Sequence, residues 1–448
     1  MITLDNGYTI LLDCGLYQGS SKHMEQFNNQ WFFDPKLLDC VVLSHAHIDH
    51  TGRLPKLVSD GYQGEIYATH ATRSLCSIML LDSARIQERD AEYYNKRQKK
   101  KGKNRTRKPL YRTEDVAETM TRFRGMPYDT WFKIADGVEV QYRDAGHILG
   151  SASITLKIME NGKSHLLGFT GDIGRPDRPI LRDPHVMPEV DYLICESTYG
   201  DRDHESKPEE TGHVLELIKQ TCVENRGKLI IPAFSVGRTQ EIVYILDQLE
   251  HEGLLPHIPV YVDSPLAVNA TQIFGIHPEC YDTDLNEYML VDENPFGFND
   301  LTYVRDVELS KQLNVSSEPC IIISSSGMMN AGRVRHHLFH NIDDPRNTFL
   351  IVGYCAPDTP GGMLLNGVED IKLYGERKIV RARIERMDSF SAHGDRNEML
   401  DFIRNQKKLK KLFLVHGEYE TQIAFRALIQ TEHKVDVEIP KLAQEFEL

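Results

Sequence analysis

Residues 44–52 read Ser44-His45-Ala46-His47-Ile48-Asp49-His50-Thr51-Gly52, directly after the apolar run Cys40-Val41-Val42-Leu43. A short apolar, β-branched run of this kind predicts a buried strand. The loop behind it places three histidines and one aspartate within six residues. A single histidine is most often a structural or surface residue. Four ligand-type side chains packed this densely repel and desolvate one another unless a cation sits among them. Imidazole and carboxylate suit zinc, and no cysteine nearby offers a closed structural site. The spacing is not that of the helical H-E-x-x-H pattern. Alternating ligands on a loop can face two metals from one turn.

Working outward, similar runs recur at Tyr192-Leu193-Ile194-Cys195, Leu229-Ile230-Ile231, Val260-Tyr261-Val262, Cys320-Ile321-Ile322-Ile323, Phe349-Leu350-Ile351-Val352 and Leu412-Phe413-Leu414-Val415. Helical patterns lie between several of them. Val214, Leu217, Ile218 and Cys222 share one helical face, as do Ile242, Ile245, Leu246 and Leu249. Strands alternating with helices indicate an α/β chain. Polar residues follow the strands: His45, Glu196, Asp263-Ser264, Ser324-Ser325-Ser326-Gly327 and His416. Short polar residues end strands and start turns in any protein. Their recurrence after five strands favours a functional reading, because ligand sites in α/β sheets lie at the carboxyl ends of strands.

The bulk composition sets wide limits. A chain of 448 residues suggests two or three domains. No run approaches the roughly 20 apolar residues of a membrane span, so no membrane partner is expected. No signal peptide is visible at Met1-Ile2-Thr3-Leu4-Asp5. Eight scattered cysteines without a C-x-x-C pair read as reduced, mostly buried thiols of a cytoplasmic protein. The net charge of −14 argues mildly against a nucleic-acid partner. Local distribution can override it: residues 96–108 hold nine basic residues and no acidic one, and read as a solvated loop.

H-x-H-x-D-H after a strand resembles the signature of the metallo-β-lactamase superfamily. Further segments are similar to that family's other motifs. Leu11-Leu12-Asp13-Cys14-Gly15 resembles the first, with Asp13 orienting the ligand loop from behind. Asp144-Ala145-Gly146-His147 supplies His147, and Phe169-Thr170-Gly171-Asp172 supplies Asp172. The resemblance implies two Zn2+ per chain: His45, His47 and His147 on one, Asp49 and His50 on the other, and Asp172 between them. A shared oxygen ligand is what two cations about 3.5–4 Å apart require.

Past Glu196 the chain continues far beyond a simple member of that superfamily. Asp388-Ser389-Phe390-Ser391-Ala392-His393-Gly394-Asp395 and Leu414-Val415-His416-Gly417-Glu418 follow. With Glu196, His393 and His416 matching the three extra motifs, the chain resembles the β-CASP ribonucleases, in layout the prokaryotic relatives of the 3′-end pre-mRNA cleavage endonuclease. The implied fold is a metallo-β-lactamase αββα sandwich with an inserted α/β β-CASP domain. It assigns residues 1–200 and 386–448 to the catalytic domain and 201–385 to the insert. His416 is implied as the last ligand of the second zinc. That position is typically histidine in RNA-acting members and valine in the DNA-repair branch. His393 is implied to pair with Glu196 as a proton donor to the leaving 3′ oxygen, and Asp49 joins them as a catalytic residue. The implied reaction is hydrolysis of single-stranded RNA through a metal-bridged hydroxide, leaving a 5′-phosphate and a 3′-hydroxyl. Endonucleolytic and 5′-exonucleolytic action are both open.

Within the insert, Pro232-Ala233-Phe234-Ser235-Val236-Gly237-Arg238 and Ser326-Gly327-Met328-Met329-Asn330-Ala331-Gly332-Arg333 resemble family segments near the RNA backbone. Arg238, Ser264, Ser325, Gly327 and Arg333 are the expected substrate contacts. Asp5-Asn6-Gly7 reads as a hairpin turn with only a stub of incoming strand. On the order of 15–20 residues of the family's first strands are expected to be missing before it. A second copy of the chain is an admissible partner. Two rivals stand beside the ribonuclease. One is a small-molecule hydrolase on the same fold, which needs no long insert. The other is a non-catalytic RNA-binding scaffold, which would have lost ligands.

Overall fold

The computed structural model describes residues 1–17, 24–204, 210–353, 355–387 and 392–448, and divides the chain into two compact units. The first comprises Met1–Asp203 and His393–Leu448, the second His204–Ala392.

The first unit is built on two sheets. One has five strands in the order Ile2–Thr3, Thr9–Leu12, Cys40–Val42, Glu65–Thr69 and Phe123–Met126. Its first pair is antiparallel and the rest are parallel. The other has seven strands, running from Asp436–Glu438 through Lys411–Leu414, Tyr192–Cys195, Lys163–Phe169, Ala152–Glu160 and Val138–Asp144 to Phe132–Ala135. Period-two alternation sends Cys40 and Val42 into a core shared with Val140, Tyr142, Ile154 and Leu156 of the other sheet. The outer face of the larger sheet carries Leu193, Cys195, Leu412 and Leu414. They pack against Met399 and Ile403 of the helix Arg396–Arg404 and Phe425 and Ile429 of the helix Tyr419–Glu432. This gives the helix-sheet-sheet-helix layering expected from the sequence.

The second unit is a six-stranded, wholly parallel sheet. Its order is Leu301–Tyr303, Val260–Val262, Cys320–Ser324, Lys228–Pro232, Thr348–Val352, Arg383–Met387. Its central strands are buried on both faces, which is why they read as continuous apolar runs. The predicted faces at Val214–Cys222 and Ile242–Leu249 are buried, the second inside the helix Arg238–His251.

All eight cysteines are free and buried. Among the described residues no helix is long and apolar enough to cross a membrane. One expectation is corrected. Residues 96–100 are not loop but the last turns of the helix His70–Lys100. That helix is anchored by buried residues from Ala71 to Ala91, and a polar sequence with good helix formers continues it outward.

Candidate metal centre

Strand ends of both sheets in the first unit deliver the ligand-type residues. His45 and His47 leave the strand Cys40–Val42, and Asp49 and His50 lie on the one-turn helix Ile48–Thr51. His147 follows Val138–Asp144, Asp172 follows Lys163–Phe169, Glu196 follows Tyr192–Cys195, and His416 follows Lys411–Leu414. Asp13 takes φ 55°, which turns the carboxylate back under the loop. One oxygen accepts from the Ser44 backbone N–H at 2.7 Å. The other accepts from the Ser44 hydroxyl at 2.6 Å and lies 2.7 Å from His50 Nδ1. His50 therefore presents Nε2 forward. Close backbone approach completes the setting. A Cβ on Gly15 would lie 1.4 Å from the Asp49 carbonyl oxygen, and one on Gly174 would lie 1.9 Å from that of Gly146.

Three imidazole nitrogens converge. His47 Nδ1 is 3.1 Å from His45 Nε2 and 3.2 Å from His147 Nε2. Nitrogens held about 2.0–2.1 Å from one tetrahedral zinc stand about 3.3 Å apart, so the spacing suits a shared cation. Asp172 Oδ2 completes this set at 3.5 Å from His45 Nε2 and 3.6 Å from His147 Nε2. The other oxygen, Oδ1, is 3.4 Å from His50 Nε2 and 3.5 Å from His416 Nδ1. Asp49 Oδ2 is 3.5 Å from His416 Nε2. Two ligand sets thus meet at one carboxylate, and each could hold a metal ion. His50 Nε2 and Asp172 Oδ1 are buried without a hydrogen-bond partner. Orphans of this kind are costly unless a cation satisfies them.

The electrostatics divide the same way. Burial pushes the pKa of His45 well below the imidazole range, with His50 adding repulsion, and burial lowers that of His47. Both shifts favour the neutral imidazole, the form in which histidine can bind a metal. Burial opposes charge on His50, yet Asp172 and Asp13 outweigh it and hold its pKa well above the usual value. Asp172 raises the pKa of His416 to about 9. Burial opposes ionisation of Asp172 in turn, but His416, His50 and His45 keep it well below the carboxylate range.

Glu196 is fully buried and accepts from the Ile173 backbone N–H at 2.5 Å. The Ile173 carbonyl accepts from the Gly394 N–H at 2.8 Å. One residue beside Asp172, Ile173, therefore ties down both Glu196 and the loop of His393 through its backbone. His393 Nδ1 lies 3.3 Å from Glu196 Oε2 and 3.9 Å from Asp172 Oδ2. Residues 388–391 of the segment before His393 lie outside the described residues. Thr198 and Arg175 carry no signal in the sequence. The Thr198 hydroxyl lies 3.1 Å from His416 Nδ1, and Arg175 pairs with Glu398 at 3.3 Å behind the His393 loop. Their partners are distant in the chain, so no local signal marks them.

In the second unit, three hydroxyls gather at the carboxyl end of the parallel sheet. Ser264 Oγ is 2.8 Å from Ser325 Oγ and 3.3 Å from Ser235 Oγ, and it caps the helix Pro265–Phe274 by accepting from the Ala267 N–H. Arg238 is buried against Glu241. Arg333 donates to Asp263 at 2.6 Å and to the carbonyls of Val304 and Arg305. Gly332, at φ +77°, leaves room for the Ser325 carbonyl, which a Cβ would meet at 2.2 Å. The Gly327 carbonyl accepts weakly from the Cys355 thiol at 3.7 Å.

Fold and site together define a metal-dependent hydrolase of the metallo-β-lactamase class. Residues 1–164 match the metallo-beta-lactamase superfamily domain and residues 239–364 the Beta-Casp domain. Residues 378–440 match the Zn-dependent metallo-hydrolase RNA specificity domain. A ribonuclease of Thermus thermophilus is 34% identical over 429 residues, 96% of this chain and 92% of the relative. An RNase J-like protein of Methanocaldococcus jannaschii is 30% identical, covering 96% and 92%. The transcription termination factor FttA of Methanosarcina mazei is 31% identical, and the chain spans 66% of its length. The chain belongs to the β-CASP ribonuclease family of metallo-β-lactamase hydrolases.

Proposed function

We propose that this chain is a ribonuclease that hydrolyses phosphodiester bonds of single-stranded RNA with two zinc ions. The observation that carries it is Asp172, whose two oxygens face separate ligand sets. His45, His47 and His147 would hold one ion, Asp49, His50 and His416 the other, and Asp172 both. The residues fit, because the neutral imidazoles converge and the orphaned atoms point where ligands are needed. Bound divalent cations would acidify water and stabilise charge on the phosphoryl group. Asp13 locks the orientation of His50. His393, protonated and held by Glu196, donates a proton to the leaving 3′ oxygen. The names borne by the relatives point to RNA as substrate.

The His204–Ala392 unit is the β-CASP insert in this reading, and the Ser264 and Ser325 hydroxyls are offered as RNA phosphate contacts. Arg333 is paired with Asp263, the residue before Ser264, and so braces that loop, while Arg238 is paired with Glu241 within its own helix; both stay among the candidate phosphate contacts. Gly327 continues the Ser325 loop. Matched RNA and DNA oligonucleotides, single- and double-stranded, would be compared at one salt and zinc concentration. Single-stranded RNA should be cut fastest. Faster cutting of DNA, or hydrolysis of nitrocefin without action on RNA, would sink the reading.

A further inference from the structure

The helix His70–Lys100 begins at the metal centre. The hydroxyls of Thr69 and Thr72 donate to the Gly150 carbonyl, in the loop that carries His147, at 2.6 and 2.8 Å. At 1.5 Å per residue its 31 residues extend about 46 Å, so its last turn is far from the catalytic residues. Its buried residues end at Ala91. Lys96, Arg97, Lys99, Lys100, Lys101, Lys103, Arg105, Arg107 and Lys108 beyond are all exposed.

This segment is built and not merely frayed. Gly102 at φ +67° closes the helix. Its N–H donates to the Lys99 carbonyl at 3.1 Å, and the Lys103 N–H donates to that of Gln98 at 3.0 Å. The chain then returns along the helix. Asn95 exchanges two hydrogen bonds with the Arg107 backbone at 2.7 and 2.9 Å, Gln87 accepts from the Leu110 N–H, and the Tyr111 hydroxyl donates to Ser83. The result is a clasped arm with positive charge on its tip. Only Lys96, with Glu92, and Arg107, with Glu25, form ion pairs among the described residues. The helix dipole favours cations in the last turn, which accounts for Lys99 and Lys100 but not for Lys103, Arg105 or Lys108. Like charges crowded on one exposed tip repel one another, and a docked polyanion would relieve that repulsion. Tyr93, 70% exposed, stands at i, i+4 and i+7 with Arg97 and Lys100 and offers a base a stacking surface beside the cations.

We propose that this arm is a distal docking site for the sugar-phosphate backbone of RNA, which holds the substrate remote from the scissile bond. The proposal rests on the ribonuclease reading. A stacked strand rises about 3.4 Å per nucleotide, so about 13 stacked nucleotides cover the helix, and RNA of a few nucleotides cannot engage arm and metals together even when extended. The arm therefore contributes to KM for long RNA and not to kcat.

The test combines Lys99→Gln, Lys100→Gln, Lys101→Gln, Lys103→Gln and Arg105→Gln, with a Lys-to-Arg version of the four lysines as control. RNAs of about 5 and about 30 nucleotides fall either side of the length limit. KM for the long RNA should rise about ten-fold and its salt slope should fall by about 0.7 for each phosphate-binding cation removed, with kcat and the short RNA unchanged. The arginine control should behave as wild type. Equal effects on both lengths, or on neither, would overturn the proposal. So would binding of the arm to phosphatidylserine vesicles without any advantage for long RNA. If the wild type cuts neither RNA, the ribonuclease reading fails. Fluorescence anisotropy of the two RNAs on wild type and variant then still decides the docking.

Discussion

His393 Nδ1 stands 3.3 Å from Glu196 Oε2, with the carboxylate wholly buried and fixed by a backbone N–H. Burial opposes charge on His393, but Glu196 and Asp172 outweigh it and raise the pKa. The imidazolium is the form that a proton donor needs. His393→Ala should keep both metals and lower turnover by about 10²–10⁴-fold. In the wild type, activity should fall as pH rises through the raised pKa of His393, since deprotonation removes the donor. The variant should lose that limb. Elemental analysis beside a pH–rate profile checks both, and loss of zinc from the variant would contradict the assignment.

His416 has a different proposed part, because it lies beside Asp49 and Asp172, which are proposed as ligands of the second ion. Metal content should approach about two per chain in the reconstituted wild type, and His416→Ala should bring it towards about one. Titration with zinc after chelation measures it. An unchanged metal content would remove His416 from the ligand set.

Zinc should displace protons. His50 and His416 have raised pKa values in the metal-free site, the latter at about 9. Below those values a proton competes with the cation, so affinity rises with pH. Calorimetry at neutral pH in buffers of different ionisation enthalpy should show about two protons released on filling the site, and fewer as pH passes 9.

Asp13 and Gly15 lie behind the proposed ligands. Asp13→Asn should weaken metal binding about 10–100-fold without unfolding the protein. Gly15→Ala must displace the Asp49 carbonyl and should destabilise the first unit by about 1–3 kcal/mol and disturb the second metal. Thermal melts with and without zinc separate the two effects.

Asp247 offers a control away from the metals. Its carboxyl is 1% exposed, accepts from Tyr288, and burial raises its pKa to about 6. In the unfolded chain the value is about 3.9. Above both values the folded state carries the full cost of a buried charge, and below both it carries none. Asp247→Asn should therefore stabilise the protein by about 1–3 kcal/mol at pH near 8 and by almost nothing near pH 3. Denaturant melts at the two pH values check it.

Much of the architecture is readable in the linear order of residues. Doubly buried parallel strands announce themselves as runs such as Cys320–Ile323 because both faces lose water. The ligand loop is legible because three histidines and an aspartate are adjacent in the chain. The helical continuation through residues 96–100 was not legible, since its apolar face stops at Ala91 while the backbone bonds do not. The supports Thr198, Arg175 and Gly174 were equally silent. Each has an ordinary local context and acquires its role from a partner brought near by the sheets.

By itself the sequence determined which residue types are available, and at which strand ends they emerge, because periodicity and ligand chemistry are local. Only the tertiary structure decided that one oxygen of Asp172 faces His45 and His147 while the other faces His50 and His416. It also decided that Arg333 is engaged with Asp263. These depend on distances between residues far apart in the chain, which the packing of the sheets sets and no local pattern encodes.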